Sequence, residues 1–258
     1  MKKLISILIL SLLLLTGCGK KQEPSTYDKI IERDMLIVGI TTESKPFGFI
    51  SQTTNEPEGF DIDVARYIAK DMLDSERKIK FVSIAPEKRI EAITSEQVDM
   101  VIATLSITPQ RQYLIDFTQP YYMAGQTALV REDSDIYTFS DLRDKTTIII
   151  LGTTAEKNIR GIIPTARIIG FKNYNNAFKA FAEGSGDAIS TDNTILSGFL
   201  MDNEGYRILK NKISKEPYGI GIKQTENDEK LKNNLNIIIN RMHKDGTLKN
   251  LKEKWQLG

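Results

Sequence analysis

Short apolar runs alternating with helix-period segments constrain the fold of this chain more than any other feature. Leu36-Ile37-Val38-Gly39-Ile40 is apolar throughout and too short for a buried helix, so it reads as a buried strand. Gly59-Phe60-Asp61 then opens a segment in which Ile62, Ala65, Ile68, Ala69 and Met72 recur at helical spacing, with Arg66 and Lys70 between them. Residues 79–82 form a second strand. Pro86 suits the first turn of a helix running to about Ser95, and residues 100–103 form a third strand. Strand, helix, strand, helix, strand is the rhythm of a mostly parallel sheet, because parallel neighbours need a crossover.

The rhythm recurs. Residues 147–151 read as a strand, and Gly152-Thr153-Thr154 leads into a helix. Ile168 and Ile169 mark a strand, residues 175–182 a helix and residues 188–190 a strand. Two stretches share the layout helix, turn, Asp, strand, with Ala92 matching Ala180 and Asp99 matching Asp187 at a fixed offset. Such a layout suits two lobes of one plan, and equally a generic α/β rhythm. Two β-rich segments are candidate crossings between lobes: residues 126–130, and residues 218–222 just after Glu216-Pro217. Beyond Ile222 only helical spacing remains. Leu231, Leu235, Ile238 and Ile239 give one helix, Gly246 ends it, and Leu248, Leu251 and Trp255 start another. The expected organisation is residues 34–125 plus 222–258 as lobe one, and 126–221 as lobe two with the crossing strands.

The N-terminus has a different character. Lys2 and Lys3 precede an almost wholly apolar stretch, residues 4–15, shorter than the roughly 20 residues of a membrane-spanning helix. Leu15-Thr16-Gly17-Cys18 follows and resembles a bacterial lipobox. Residues 1–17 therefore read as a lipoprotein signal peptide, Cys18 as the lipidated residue and residues 18–33 as the tether. A plain signal peptide or signal anchor is the alternative. The remaining numbers mostly exclude. With Lys+Arg at 35 against Asp+Glu at 34, charge gives no push toward nucleic acid. One Cys and one His exclude a disulfide framework and a Cys/His zinc site. No cofactor and no metal are expected.

Open α/β sheets bind ligands beyond the C-terminal ends of their strands. After the third strand comes Thr104-Leu105-Ser106-Ile107-Thr108-Pro109-Gln110-Arg111. Hydroxyls, free backbone N–H groups and a bidentate guanidinium together suit a carboxylate. The same residues also read as a plain strand-to-helix turn, with Thr108 capping before Pro109 and Arg111 a surface charge.

Gly59-Phe60-Asp61-Ile62-Asp63, the run from Ile102 to Arg111, and Asp116-Phe117-Thr118-Gln119-Pro120-Tyr121-Tyr122 resemble the signature of the family 3 solute-binding proteins, the receptors of polar amino-acid ABC importers. Gly152-Thr153-Thr154, Thr191-Asp192 and Glu216-Pro217-Tyr218-Gly219 match in order, so the resemblance runs from about Asp34 to Trp255. It implies a periplasmic-binding-protein-like fold of type II: two α/β lobes with mostly parallel sheets, joined by two β-strand hinge crossovers and closing on the ligand. By the same resemblance Arg111 clamps the ligand's α-carboxylate, with Ser106 and the backbone near Thr104. Thr154 adds a hydroxyl and N–H groups. Asp192, beside Thr191, accepts the α-ammonium. The implied partners are an amino acid, a permease with its ATPase, and the membrane through a lipid anchor. The implied form is a monomer outside the cell membrane or in a periplasm.

For the ligand side chain the positions that pair with cationic ligands in many relatives read Thr41 and about Ser44, which lowers the odds of arginine, lysine or histidine; Glu43 keeps them open. Lys88-Arg89-Ile90 resembles the segment whose arginine reaches the ligand side chain in the glutamate, aspartate and glutamine branch. The expectation is glutamate first, then aspartate and glutamine, with Lys45 as an assistant and Phe47 and Phe49 as walls or core. The rivals are a dehydratase-like enzyme of the same fold and a ligand-sensing lipoprotein. The sole His243 falls on a C-terminal helix pattern, which leaves no Ser-His-Asp or Cys-His arrangement.

Overall fold

In the computed structural model, which describes residues 24–225 and 229–257, the apolar runs form two separate sheets of one design. The first has the order β5 (Ile79–Ser83), β1 (Leu36–Ile40), β6 (Met100–Val101), β15 (Gly221–Ile222) and β7 (Asp116–Phe117). The second has the order β11 (Arg167–Phe171), β10 (Thr146–Ile150), β12 (Ala188–Asp192), β9 (Gln126–Arg131) and β13 (Tyr206–Ile208). In each, the second strand in this order runs parallel to both neighbours: Val38 sits opposite Phe81 and Met100, and Ile148 opposite Ile169 and Ile189. In each, the next strand out is antiparallel, β15 against β6 and β9 against β12.

The repeat extends to one side chain. Asp99 accepts the Ile37 N–H at 2.7 Å, and Asp187 accepts the Thr146 N–H at 2.6 Å. Both aspartates immediately precede the third strand of their sheet and tie it to the second.

Both sheets are buried on two faces, and the period of two along each strand sorts residues between them. Val38, Ile40, Met100 and Ile102 pack with α2 (Phe60–Leu73) and α8 (Glu229–Lys244), while Val101 and Ala103 pack with Ile93 of α3 (Arg89–Thr94) on the other side. In the second lobe Ala128, Val130 and Ala188 meet Ile159 of α5 (Ala155–Ile162). Leu129, Ile148 and Ile189 meet Phe181 of α6 (Tyr174–Ala182) and Leu196 of α7 (Asn193–Leu200). Each fully buried Leu or Ile contributes about 1.5–3 kcal/mol.

The connection between lobes is a ribbon of β8 (Tyr122–Ala124) and β14 (Glu216–Tyr218), paired antiparallel with Tyr122 opposite Tyr218. The expected crossings lie beside it. Residues 126–130 fall in β9, and residues 218–222 divide between the end of β14 and β15. The crossing needs only three residues per strand, whereas the longer apolar run of β9 is buried from Gln126 to Val130 and belongs inside a sheet.

The leader and Cys18 lie outside the described residues. Of the expected tether, Thr26–Arg33 forms α1, capped by Ser25, whose hydroxyl accepts the Asp28 N–H. Ile30 is fully buried in the lobe-one core with Leu231 and Leu235 of α8, so one apolar residue docks a helix that polarity alone assigns to a linker. A small antiparallel sheet, β2 (Glu43–Ser44), β3 (Gly48–Ile50) and β4 (Pro57–Glu58), follows β1. The chain ends in α9 (Thr247–Lys254), whose Leu248 joins the same core. Among the described residues no helix is long and apolar enough to cross a membrane.

Candidate ligand-binding site

The loops that follow β6 in lobe one and β10 in lobe two meet, because Arg89 and Arg111 of lobe one both donate to Gly152 O of lobe two. Beyond β6 the chain turns at Thr104, a non-glycine residue in the left-handed region at φ +47°. That conformation is costly for a threonine and persists only where the surroundings hold it. Asp61, fully buried, supplies the hold by accepting the Thr104 N–H at 2.8 Å and the Tyr121 hydroxyl at 2.9 Å. Burial pushes the Asp61 carboxyl up to about 7, against the pull of these two donors and of Arg89.

Arg89 opens α3 and is 3% exposed. Its Nε donates to Pro86 O at 2.8 Å, Nη1 to Ala103 O at 2.8 Å and Thr104 O at 3.4 Å, and Nη2 to Gly152 O of lobe two at 3.0 Å. A guanidinium has five N–H groups, so these four bonds leave one. Arg111 sits on α4 (Pro109–Gln112), which Thr108 caps by accepting the Arg111 N–H. Its Nη1 donates to Ser106 O at 2.6 Å and its Nη2 to the same Gly152 carbonyl at 2.9 Å, which leaves three N–H groups. Thr108 caps as the turn reading expects, and the Arg111 guanidinium still turns inward to Ser106 O and Gly152 O. Burial first, and then the like charge of Arg89, lower the pKa of Arg111 to about 10. Two cations held this close favour an anion between them.

Lobe two offers the opposite sign. Asp192 ends β12 and precedes α7, yet its side chain makes no capping bond. It accepts the Tyr218 hydroxyl at 2.5 Å instead. Burial pushes Asp192 up to about 7 and Glu216 adds to the rise; the Tyr218 hydroxyl, Arg89 and Arg111 oppose it. Thr191 is buried, and burial raises the pKa of the Tyr174 hydroxyl to about 12. Thr154 sits at the N-terminus of α5, and its hydroxyl makes no capping bond. The expected residues Arg89, Thr104, Ser106 and Arg111 therefore gather on one wall, and Thr154, Thr191 and Asp192 come from the other lobe.

The lobes touch around this site. Gly152, at φ +77°, lies so close to lobe one that a Cβ would meet Glu87 Cα at 2.3 Å. Glu43 accepts the Tyr174 N–H at 3.1 Å, and Lys45 pairs with Asp202 at 2.9 Å. Glu43 and Lys45 thus each bond a residue of lobe two in this structure. Thr41 and Ser44 bond each other at 3.2 Å. Phe47 is fully buried in an aromatic cluster with Phe60, Tyr122 and Tyr218, while Phe49 packs on Trp255. Both phenylalanines are structural.

Residues 36–258 match the model of the bacterial extracellular solute-binding proteins, family 3. The chain belongs to this family. The glutamine-binding protein of Geobacillus stearothermophilus is 38% identical over 86% of this chain and 91% of its own. The ABC transporter glutamine-binding protein GlnH of Bacillus subtilis is 34% identical over 99% of this chain and 97% of its own. Among solved structures, an ancestral amino acid-binding protein described as a precursor of cyclohexadienyl dehydratase superposes with a TM-score of 0.82 at 34% identity, covering 90% of this chain and 99% of that one.

Within this family 3 chain, sequence reasoning missed Asp61, Tyr174, Tyr218 and the Gly152 carbonyl. Asp61 and Tyr218 stood inside motifs that had been noticed, with no role attached. Tyr174 looked like any helix-start aromatic. A backbone carbonyl carries no sequence signal, although glycine at position 152 hints at a close approach.

Proposed function

We propose that this protein is the substrate-binding component of an amino-acid ABC importer, and that glutamine is its preferred ligand, followed by glutamate and aspartate. The observation that carries the reading is the charge layout of the cleft: Arg89 and Arg111 on lobe one face Asp192 on lobe two. A zwitterion satisfies both walls at once, so its binding favours the closed state. Arg111, with three N–H groups left, takes the α-carboxylate as a bidentate pair, helped by Ser106, Thr104 and Thr154. Asp192 takes the α-ammonium, and Thr191 supports that wall.

Arg89 decides the order among side chains. Its one remaining N–H suits a single amide oxygen better than a carboxylate's two oxygens. The carboxyls of Asp61, Asp192 and Glu216 already stand within electrostatic reach of the two guanidiniums, so the cleft has no need of a further negative charge. Sequence alone put glutamate first; this bonding pattern and the two glutamine-binding relatives move glutamine ahead.

A binding role is preferred to an enzymatic one. His243 lies on α8 beside Pro120 O, on the helical face of lobe one, so the cleft has no imidazole. Residues 1–17 act as a lipoprotein leader and Cys18 carries the lipid, which holds a monomer at the outer face of the membrane; the apolar run and the lone cysteine support this. Loss of the lipid mass in Cys18→Ser would test it.

A thermal-shift screen of the purified chain against the common amino acids tests the ligand. A ligand at 1,000-fold its dissociation constant stabilises by roughly 4 kcal/mol. Glutamine is expected to give the largest shift. A larger shift with glutamate overturns the order given to Arg89, and no shift with any amino acid overturns the receptor reading.

A further inference from the structure

Tyr218 sits where the hinge, the anion-binding loop and the ammonium site meet. It ends β14, one strand of the hinge ribbon, and its ring is fully buried in the lobe-one core. The ring meets Phe47 edge-on at 5.5 Å and stacks near Tyr122 at 5.8 Å. The backbone on either side lies along the loop of lobe one that holds Ser106. Ile107 N donates to Pro217 O at 2.8 Å, Gly219 N donates to Leu105 O at 3.1 Å, and Ser106 and Tyr218 form an isolated antiparallel bridge. From this lobe-one seat the hydroxyl reaches into lobe two, where it donates to Asp192 at 2.5 Å and lies 3.4 Å from the Thr194 hydroxyl.

We propose that Tyr218 is a positioning residue for amino-acid recognition: its hydroxyl holds the Asp192 carboxylate ready for the ligand's ammonium, and its backbone fixes that carboxylate relative to the loop that takes the ligand's carboxylate. The proposal rests on the reading of Asp192 as the ammonium acceptor. Among the described residues no other hydrogen bond anchors that side chain, and Asp192 does not cap the helix it precedes. A buried carboxylate with no donor would be costly and would swing or protonate. A phenol suits the task better than a cation would. It donates one hydrogen bond without neutralising the charge, so the carboxylate stays attractive to an ammonium.

The same bond sets the proton affinity of the site. The groups facing Asp192 are Tyr218 and Glu216 from β14, Tyr174 from α6, Arg89 from α3 and Arg111 from α4. Burial and Glu216 push the carboxyl up; the Tyr218 hydroxyl and the two arginines push it down. Removing the hydroxyl therefore raises the pH at which Asp192 takes up a proton. Binding of an ammonium needs the ionised form, so binding is lost as pH falls through that point. An amino acid's own α-groups do not titrate between about pH 5.5 and 8.5 for the carboxylate or below about 8 for the ammonium, which keeps the effect on the protein.

The test is calorimetric titration between about pH 5.5 and 8 with L-glutamine, or with whichever amino acid gives the largest thermal shift. It compares the wild-type chain, Tyr218→Phe, Asp192→Asn and the double variant. Phenylalanine keeps the ring and its packing. Tyr218→Phe is expected to bind about tenfold more weakly near pH 7, as for loss of one charge-assisted hydrogen bond. Its affinity should begin to fall at a higher pH than in the wild type. Asp192→Asn should bind more weakly still, without the acid-side fall, and adding Tyr218→Phe to it should change affinity less than about twofold. If Tyr218→Phe keeps the wild-type pH profile and its loss adds in full to that of Asp192→Asn, Tyr218 is only a core residue and the proposal fails. If Asp192→Asn binds like the wild type, the ammonium reading itself fails, which is a separate outcome.

Discussion

Lobe one and lobe two share a strand order, an antiparallel strand in the same place and an aspartate tie at the same register. They differ at the ends of those strands. Lobe one presents two guanidiniums held by backbone carbonyls; lobe two presents a carboxylate held by one phenol. One scaffold thus carries opposite charges on two facing walls. The scaffold repeats because packing repeats, whereas the strand-end loops are free to diverge because they bear little of the core. The holding groups also differ in consequence. Arg89 satisfies carbonyls its own lobe needs bonded, so it is both structure and site, while Asp192 weakens the fold that contains it.

That asymmetry is open to direct attack. Arg89→Ala should produce the largest effect, because the carbonyls of Pro86 and Ala103 lose their donor. We expect loss of about 3 kcal/mol of stability in urea melts, together with ligand binding too weak to titrate. Asp192→Ala should weaken binding comparably yet leave the unliganded melt at or above the wild-type value. Equal losses of stability in the two variants would break the contrast.

Gly152→Ala comes next. Its Cβ would press on Glu87 Cα only when the lobes are shut, so binding should weaken about 100-fold. The left-handed backbone adds only about 1 kcal/mol of instability. Small-angle scattering checks the mechanism: the wild type should contract on adding ligand and the variant should not.

A smaller effect sharpens what the lobes have in common. Asp61 and Asp192 are each raised from 3.8 to about 7 by burial. The folded chain therefore binds more protons than the unfolded one between these values. Each contributes stability that is full below about pH 4 and lost as pH rises through about 7. Relative to the wild type, Asp61→Asn and Asp192→Asn should both gain stability steadily over that window, measured as denaturant midpoints without ligand. A gain in only one would show that the two buried carboxyls are not equivalent. The smallest effect should come from Lys45→Ala. Its bond to Asp202 is an exposed ion pair worth under about 1 kcal/mol, so affinity should fall a few-fold at most. That difference should fade in about 1 M salt.

The two sheets were legible because a strand buried on both faces leaves an apolar run, as residues 36–40 and 147–151 do. Asp192 was singled out by the family resemblance carried in part by Thr191-Asp192. What did not follow was whatever depends on one lobe meeting the other. Glu43 and Lys45 look like binding residues until Tyr174 and Asp202 arrive from the second lobe. The bonding of Arg89 could not be read either, since three of its four acceptors lie on the strand-end loop and in lobe two. The hinge ribbon was misplaced by a few residues because three-residue strands are too short to show a period. The three-stranded β2–β4 sheet was not seen at all, being brief and rich in Gly, Pro and polar residues.

The strand β15 has a consequence for how the molecule is made. It lies between β6 and β7 in the first sheet, yet it is synthesised after the whole of lobe two. As the chain emerges in order, β9 to β13 already hold everything the second sheet requires. The first sheet must wait with a gap between β6 and β7 until Gly221 and Ile222 return to it, followed by the apolar face of α8. The half born first should therefore be the half completed last, by closure of contacts widely separated in sequence, which is the slow step in folding.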